Sequence, residues 1–301
     1  MCMQYKKLKE NPKIWKNAMV SVKYLGKTTE ITFCSICNNE GSRIMKVDGE
    51  HYVDTRTGEI KKFQVKEKMR ESRLASPESL RRTLKEIKEL IQTYVTDARR
   101  VRWCTVTYQE NMSDKRRLHE DFRRFIQKLR YHCKKNSYGE FEYIAVCEPQ
   151  GRGSFHIHMF LIWKNVAPYI ANEVFREIWG HGYVSIKEIK DIENIGGYFQ
   201  AYLTDLEISE EKAEYFAAED IKVVETDSSE KRFLKGGRLH IYPRYFNILR
   251  HSRGVKKPEK VVMTYEEALK EVSGKELRYQ TAFQLTSENG FQMLVSKMEF
   301  R

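Results

Sequence analysis

No apolar run in these 301 residues approaches the ~20 that a membrane-spanning helix needs; the longest, residues 157–163, includes His158. The first thirteen residues lack the apolar core of a secretory signal, so a cytoplasmic protein without a membrane partner is expected. Cysteine is sparse. Its six positions (2, 34, 37, 104, 133, 147) read as reduced thiols rather than as a disulfide framework. Cys34 and Cys37 have the spacing of half a zinc knuckle, but no second pair lies at ligand distance, so two ordinary thiols near a turn are expected. A complete phosphate-binding loop is missing as well. Leu25-Gly-Lys-Thr28 looks like the end of one, yet Ser21 stands where its first glycine belongs. That argues against a helicase motor. No internal repeat is visible.

Acidic residues are outnumbered, 42 against 54 Lys and Arg, for a formal net charge of +12. This balance favours a polyanionic partner, nucleic acid first. Hydrophobic residues make up 41% of the chain, which excludes a disordered one.

Texture divides the sequence into three zones. Residues 1–98 form an accessory region: 19–24 and 29–33 alternate as strands, 38–58 read as turns between short strands, and a helix opens at Ser76-Pro77. Its apolar positions Leu80, Leu84, Ile87, Leu90 and Ile91 fall at helical spacing. Residues 99–207 carry a clearer rhythm. Strand 103–108 precedes a helix capped by Ser113-Asp114, with Leu118, Phe122, Phe125, Ile126, Leu129 and Cys133 on one stripe and nine Lys and Arg elsewhere. Strands 141–147 and 154–163 follow, the latter apolar on both faces and therefore central. A helix at 168–179, a strand at 183–186 and a helix at 192–206 complete the zone. The order β-α-β-β-α-β-α predicts an α+β fold with a ferredoxin-like split βαβ core. Residues 208–301 form a C-terminal extension. The acidic run 208–230 reads as a helix and a loop, Lys235-Gly-Gly-Arg238 as a loop only, and 265–272 as a short helix. The basic stretch 250–257 is either a DNA-contacting arm or a solvated loop.

The chemistry concentrates in the middle zone. His156 and His158 alternate within one strand, so both imidazoles share a face. Glu148 ends the preceding strand, and a hairpin through residues 149–153 would set it beside them. Two imidazoles and a carboxylate suit Mg²⁺ or Mn²⁺ holding a phosphate, with Gln150 as an alternative to Glu148. Tyr198 and Tyr202, four apart on a helix, share a face too. A packing stripe explains them in isolation; beside a metal site, a tyrosine nucleophile explains them better. Gly196 and Gly197 before them predict a flexible first turn.

Residues 103–108, then Glu148 with His156 and His158, then Tyr198 and Tyr202, resemble in order the three motifs of the HUH endonucleases, among them the rolling-circle replication initiators of phages and plasmids. The resemblance implies a five-stranded antiparallel sheet with the histidines on a central strand. It implies Glu148, His156 and His158 as metal ligands, and Tyr198 or Tyr202 as the nucleophile that joins the 5′ end of nicked single-stranded origin DNA and frees a 3′-hydroxyl. A host helicase and polymerase are implied partners. Many relatives carry Lys three residues after the tyrosine; Ala201 and Asp205 stand there in this sequence, leaving Lys187 and Lys190 as weak substitutes. A single-strand transposase or relaxase of the same superfamily is the enzymatic rival, and a non-catalytic DNA-binding protein the other.

Overall fold

Residues 141–163 close into a hairpin, and much of the middle of the chain is built on it. A computed structural model describes residues 3–36, 44–55, 57–62, 77–150, 153–189, 195–217, 220–225, 230–238, 241–242, 246–287, 290 and 292–301. The chain divides into two packed units, one of residues 76–258 and the other of residues 1–75 with 259–301.

In the first unit the labelled elements are α1 (Pro77–Tyr94), β1 (Val101–Thr107), α2 (Lys115–Lys135), β2 (Phe141–Pro149), β3 (Phe155–Trp163), α3 (Asn172–Trp179), β4 (Val184–Glu188), α4 (Ile195–Thr204) and β5 (Leu249–His251). The strands form one antiparallel sheet in the order β4-β1-β3-β2-β5, and the fold is α+β with β3 in the middle.

Period-2 alternation gives this sheet two different faces. Cys104, Val106, Ala145, Cys147, Ile157, Met159 and Leu161 lie on one, buried under α2 and α3. The stripe expected on α2 is the one it buries, and Asp114 caps the helix by accepting from the backbone N–H of Arg116 (2.7 Å) and Arg117 (3.3 Å). Val101, Ile144, Val146, Phe160 and Ile162 form the other face, under α1 and α4. From α1 come Leu84, Ile87, Leu90 and Ile91, and from α4 Ile195, Phe199 and Leu203. These α4 positions are four apart, the spacing that keeps one helix face on the sheet.

Gly196 has a packing role rather than the expected looseness. It is buried, and a Cβ there would stand 2.8 Å from the Lys88 carbonyl oxygen and 3.1 Å from Gln92 Cγ, so glycine is what lets α4 approach α1. The acidic run departs from expectation more plainly. Instead of a helix and a loop it gives a single helical turn, Glu210–Ala213, and a three-stranded antiparallel sheet of Leu206–Ile208, Glu230–Leu234 and Ile221–Glu225. Val223, Val224 and Phe233 supply the β-branched and aromatic character that outweighs the acidic composition there.

The second unit joins both ends of the sequence in one six-stranded sheet, ordered Met3–Lys7, Leu277–Ser287, Gln292–Phe300, Thr28–Cys34, Met19–Leu25, Lys260–Thr264. Leu25-Gly-Lys-Thr28 is a tight hairpin turn, with Leu25 paired to Thr28 and Gly26 at φ 62°, which accounts for its glycine without a phosphate. The helix expected near 265 runs Tyr265–Glu271, closed by a capping box between Thr264 and Glu267. Strands Ile44–Lys46, His51–Asp54 and Ile60–Lys62 form a small separate sheet.

Candidate metal centre and tyrosine helix

The hairpin register fixes the site. Glu148 pairs directly with His156, and Val146 with His158, across β2 and β3; on the other side of β3, Thr107 pairs with His156 and Thr105 with His158. Directly paired residues project from the same face, so Glu148, both histidines and both threonines share the face that carries α1 and α4. The polar residues sit at one end of it, and Trp103, Phe160 and Ile162 fill the other.

Glu148 and His158 are each only 2% exposed, whereas His156 is half-buried. Glu148 Oε2 stands 2.6 Å from His158 Nε2, and Thr105 Oγ1 stands 3.1 Å from His158 Nδ1. His156 Nδ1 lies 3.3 Å from Gln150 Nε2, and the two imidazole centroids are 6.2 Å apart. One ligand atom from each of Glu148, His156 and His158 lies within 4.8 Å of the others, a cluster able to hold a metal ion. Gln150 therefore neighbours His156, while Glu148 occupies the cluster. The hairpin turn supports this geometry: Gln150 N–H donates to the Ser154 carbonyl (2.7 Å), and Gly153 N–H to that of Gln150 (2.8 Å), with Gly153 at φ 89°.

The donor set fits a divalent cation. With Nδ1–H given to Thr105, His158 Nε2 presents its lone pair towards a carboxylate oxygen. Two acceptors at that spacing are favourable only with a proton or a cation between them. Burial adds to this, because an unpaired carboxylate in the interior is costly.

Helix α4 lies over the same sheet face. Phe199 packs edge-on against Phe160 (5.1 Å between centroids), Trp103 (5.7 Å) and the His158 ring (6.1 Å). Tyr198 and Tyr202 are both residues of α4, each one position before a buried anchor, Phe199 or Leu203; their side chains lie outside the described residues. Lys190 lies outside them too. Lys187 sits on edge strand β4, opposite Trp103, three strand spacings and so roughly 14 Å from β2.

Two residues absent from the sequence expectation also reach Glu148. The Arg238 guanidinium forms an ion pair with its Oε1. Tyr242 lies close enough to feel the same carboxylate, and its phenol pKa is raised well above the ordinary value by burial, then by Glu148. That phenol donates to the Leu203 carbonyl (3.0 Å), so it is a buried tie on α4 and a poor source of phenolate. No short-range pattern marks either residue. Arg238 lies in a glycine-containing turn 90 positions after Glu148, and only the tertiary fold joins them.

The sulfur atoms give no second centre. Cys104, Cys133 and Cys147 are buried and form no disulfide, with burial raising each thiol pKa, that of Cys133 to about 11. Cys34 is half-buried in strand Thr28–Cys34, and Cys37 lies outside the described residues. Among the described residues no helix is long and apolar enough to cross a membrane.

Searches of curated proteins and of solved structures found no match. A family model does match, and it covers β1 to the start of the small sheet, thereby enclosing Glu148, both histidines and α4. Residues 101–207 match the ORF2 family of replication-associated proteins, in agreement with the motif resemblance to rolling-circle initiators.

Proposed function

We infer that this chain initiates rolling-circle DNA replication by nicking single-stranded origin DNA through a tyrosine, and rejoins the strand at termination. The observation that carries this reading is the cluster of Glu148, His156 and His158 on the sheet face that also holds α4, inside the segment matching a replication-associated family. The strand order β4-β1-β3-β2, with α2 and α3 on the connections, supports a ferredoxin-like core of the HUH type.

Glu148, His156 and His158 would hold Mg²⁺ or Mn²⁺, which when bound draws charge from the oxygens of the scissile phosphate. Thr105 and Gln150 orient the two imidazoles. Positions 198 and 202 are one helical turn apart, about 6 Å along the axis, and their phenols serve as alternating nucleophiles. The phenol oxygen bonds to phosphorus as the P–O3′ bond breaks, and the phenol proton passes through solvent to the departing 3′-oxygen. The product is a 5′-phosphotyrosine with a free 3′-hydroxyl. A host helicase would open the duplex and a host polymerase would extend the freed end.

The test is incubation with a labelled single-stranded DNA library and Mn²⁺, followed by denaturing electrophoresis and peptide mapping. A covalent adduct on Tyr198 or Tyr202, absent in chelator, is the expected result. No adduct with any sequence would overturn the reading. Tyr198→Phe and Tyr202→Phe each lose multi-turnover strand transfer; if one retains it fully, the two-tyrosine scheme is wrong and that position is packing.

A further inference from the structure

Glu148 has its two oxygens held by different partners, His158 on Oε2 and Arg238 on Oε1. Arg238 comes from beyond the family-matched segment, in the turn that follows strand Glu230–Leu234. That turn is fastened to the end of the tyrosine helix. The Arg238 N–H donates to the Thr204 carbonyl (2.8 Å), Gly236 N–H donates to Asp205 Oδ1 (3.0 Å), and Thr204 Oγ1 donates to the same oxygen (2.8 Å). Asp205, at a position where relatives place a lysine, is thus the acceptor that anchors an arginine. The guanidinium is 24% exposed over a 3% exposed carboxylate, so it covers the site from its solvent side. A guanidinium matches carboxylate and phosphate equally well in geometry.

We propose that Arg238 is a positioning residue that couples the metal ion to the DNA: it neutralises Glu148 while no cation is bound, and moves to a phosphate of the single strand when a cation takes the carboxylate. This rests on the reading that Glu148, His156 and His158 hold a divalent ion. The exchange conserves charge pairing. A cation arriving without DNA must displace the guanidinium from Glu148, whereas with DNA present the guanidinium has a second anion to meet. Cation and strand therefore strengthen each other's binding, reciprocally, by linkage.

The test measures Mn²⁺ affinity by electron paramagnetic resonance on the full chain. It is done with and without a mixed-sequence 30-nucleotide single strand, in a Tyr198→Phe/Tyr202→Phe background that prevents cleavage. In the Arg238-containing chain the oligonucleotide should tighten Mn²⁺ binding about tenfold, within the usual range of coupling between sites. Arg238→Gln should bind Mn²⁺ about tenfold tighter without DNA and lose most of the enhancement. Arg238→Lys keeps the charge and should keep weak DNA-free binding and part of the coupling. A guanidinium that merely fastens the turn would not raise metal affinity on removal. Unchanged or weaker DNA-free binding in Arg238→Gln overturns the proposal, as does equal tightening in the Gln and Lys variants. If the Arg238-containing chain binds no Mn²⁺ with or without DNA, the metal reading falls and the proposal with it; that result is distinct from a failure at Arg238 alone.

Discussion

His156 and His158 stand two positions apart, yet their surroundings make them respond differently to the same substitution. His156 is half-buried, with the Gln150 amide at the long distance of 3.3 Å, so His156→Ala should leave the melting temperature nearly unchanged. It should nonetheless abolish both Mn²⁺ binding and adduct formation, and full cleavage by this variant in chelator would refute the metal centre. His158 is buried with both ring nitrogens engaged. Its partner Thr105 offers a cleaner probe. Thr105→Val keeps the shape and removes the acceptor of Nδ1, which should cost about 1–3 kcal/mol of stability for the unpaired buried group. It should also lower Mn²⁺ affinity by roughly tenfold through loss of ring orientation, as titration calorimetry and thermal melts would show. At this scale the sequence was informative where residues are close in a strand: alternation alone put both histidines on one face, and a hairpin put Glu148 beside them. It was silent on Thr105, Arg238 and Tyr242, because a hydroxyl in a strand and an arginine after two glycines have the same local texture whether or not they meet a carboxylate.

Among the elements, α4 is held from two sides. Towards its start, Gly196 rests against the Lys88 carbonyl of α1; at its end, the Tyr242 hydroxyl and the Arg238 amide occupy the last carbonyls. Gly196→Ala forces backbone atoms apart, since the 2.8 Å contact is with a main-chain oxygen. An overpacking cost of about 1–3 kcal/mol is expected, together with slower adduct formation at unchanged DNA affinity, because the tyrosines ride on the displaced helix. Equal melting temperature and equal rate would show that the helices separate freely. Tyr242→Phe should cost about 1 kcal/mol, the net worth of one hydrogen bond. Most elements of the middle zone were legible because each carries its own signal, a capping Asp114, a 3.6-residue stripe, or a two-residue alternation. The 221–234 strands were not, since their acidic composition hides a short β-branched run that pairs with its own neighbours.

Across the whole molecule, pairing between the first and last strands of the chain defines a unit that no local pattern announces; Tyr5 meets Leu285 across a separation that only folding closes. Charge is easier to read than topology, but its placement matters. The nine exposed Lys and Arg of α2 lie on the sheet face opposite Glu148 and the histidines, so a strand seated at the metal centre reaches them only around the sheet edge. The 250–257 stretch is nearer, since β5 pairs directly with β2, and its basic residues are not equivalent. Arg250 turns onto α2, 2.6 Å from His119 Nδ1 and over the Phe122 ring, while Lys257 pairs with Glu86 at 3.0 Å. Arg253 and Lys256 are exposed, on a turn pinned by Ser252 Oγ beneath Tyr143 N–H and by Lys256 N–H on the Tyr94 hydroxyl. If the stretch holds the backbone of single-stranded DNA, replacing Arg253 and Lys256 by Ala should reduce the slope of log K against log salt by about 0.7 per contact. Arg250→Ala should instead lower the melting temperature and change that slope little. A fluorescence-anisotropy salt titration of the three variants separates these outcomes. A slope that falls only with Arg250 would make the edge strand the DNA contact, and one that falls with none would leave the turn as a solvated loop.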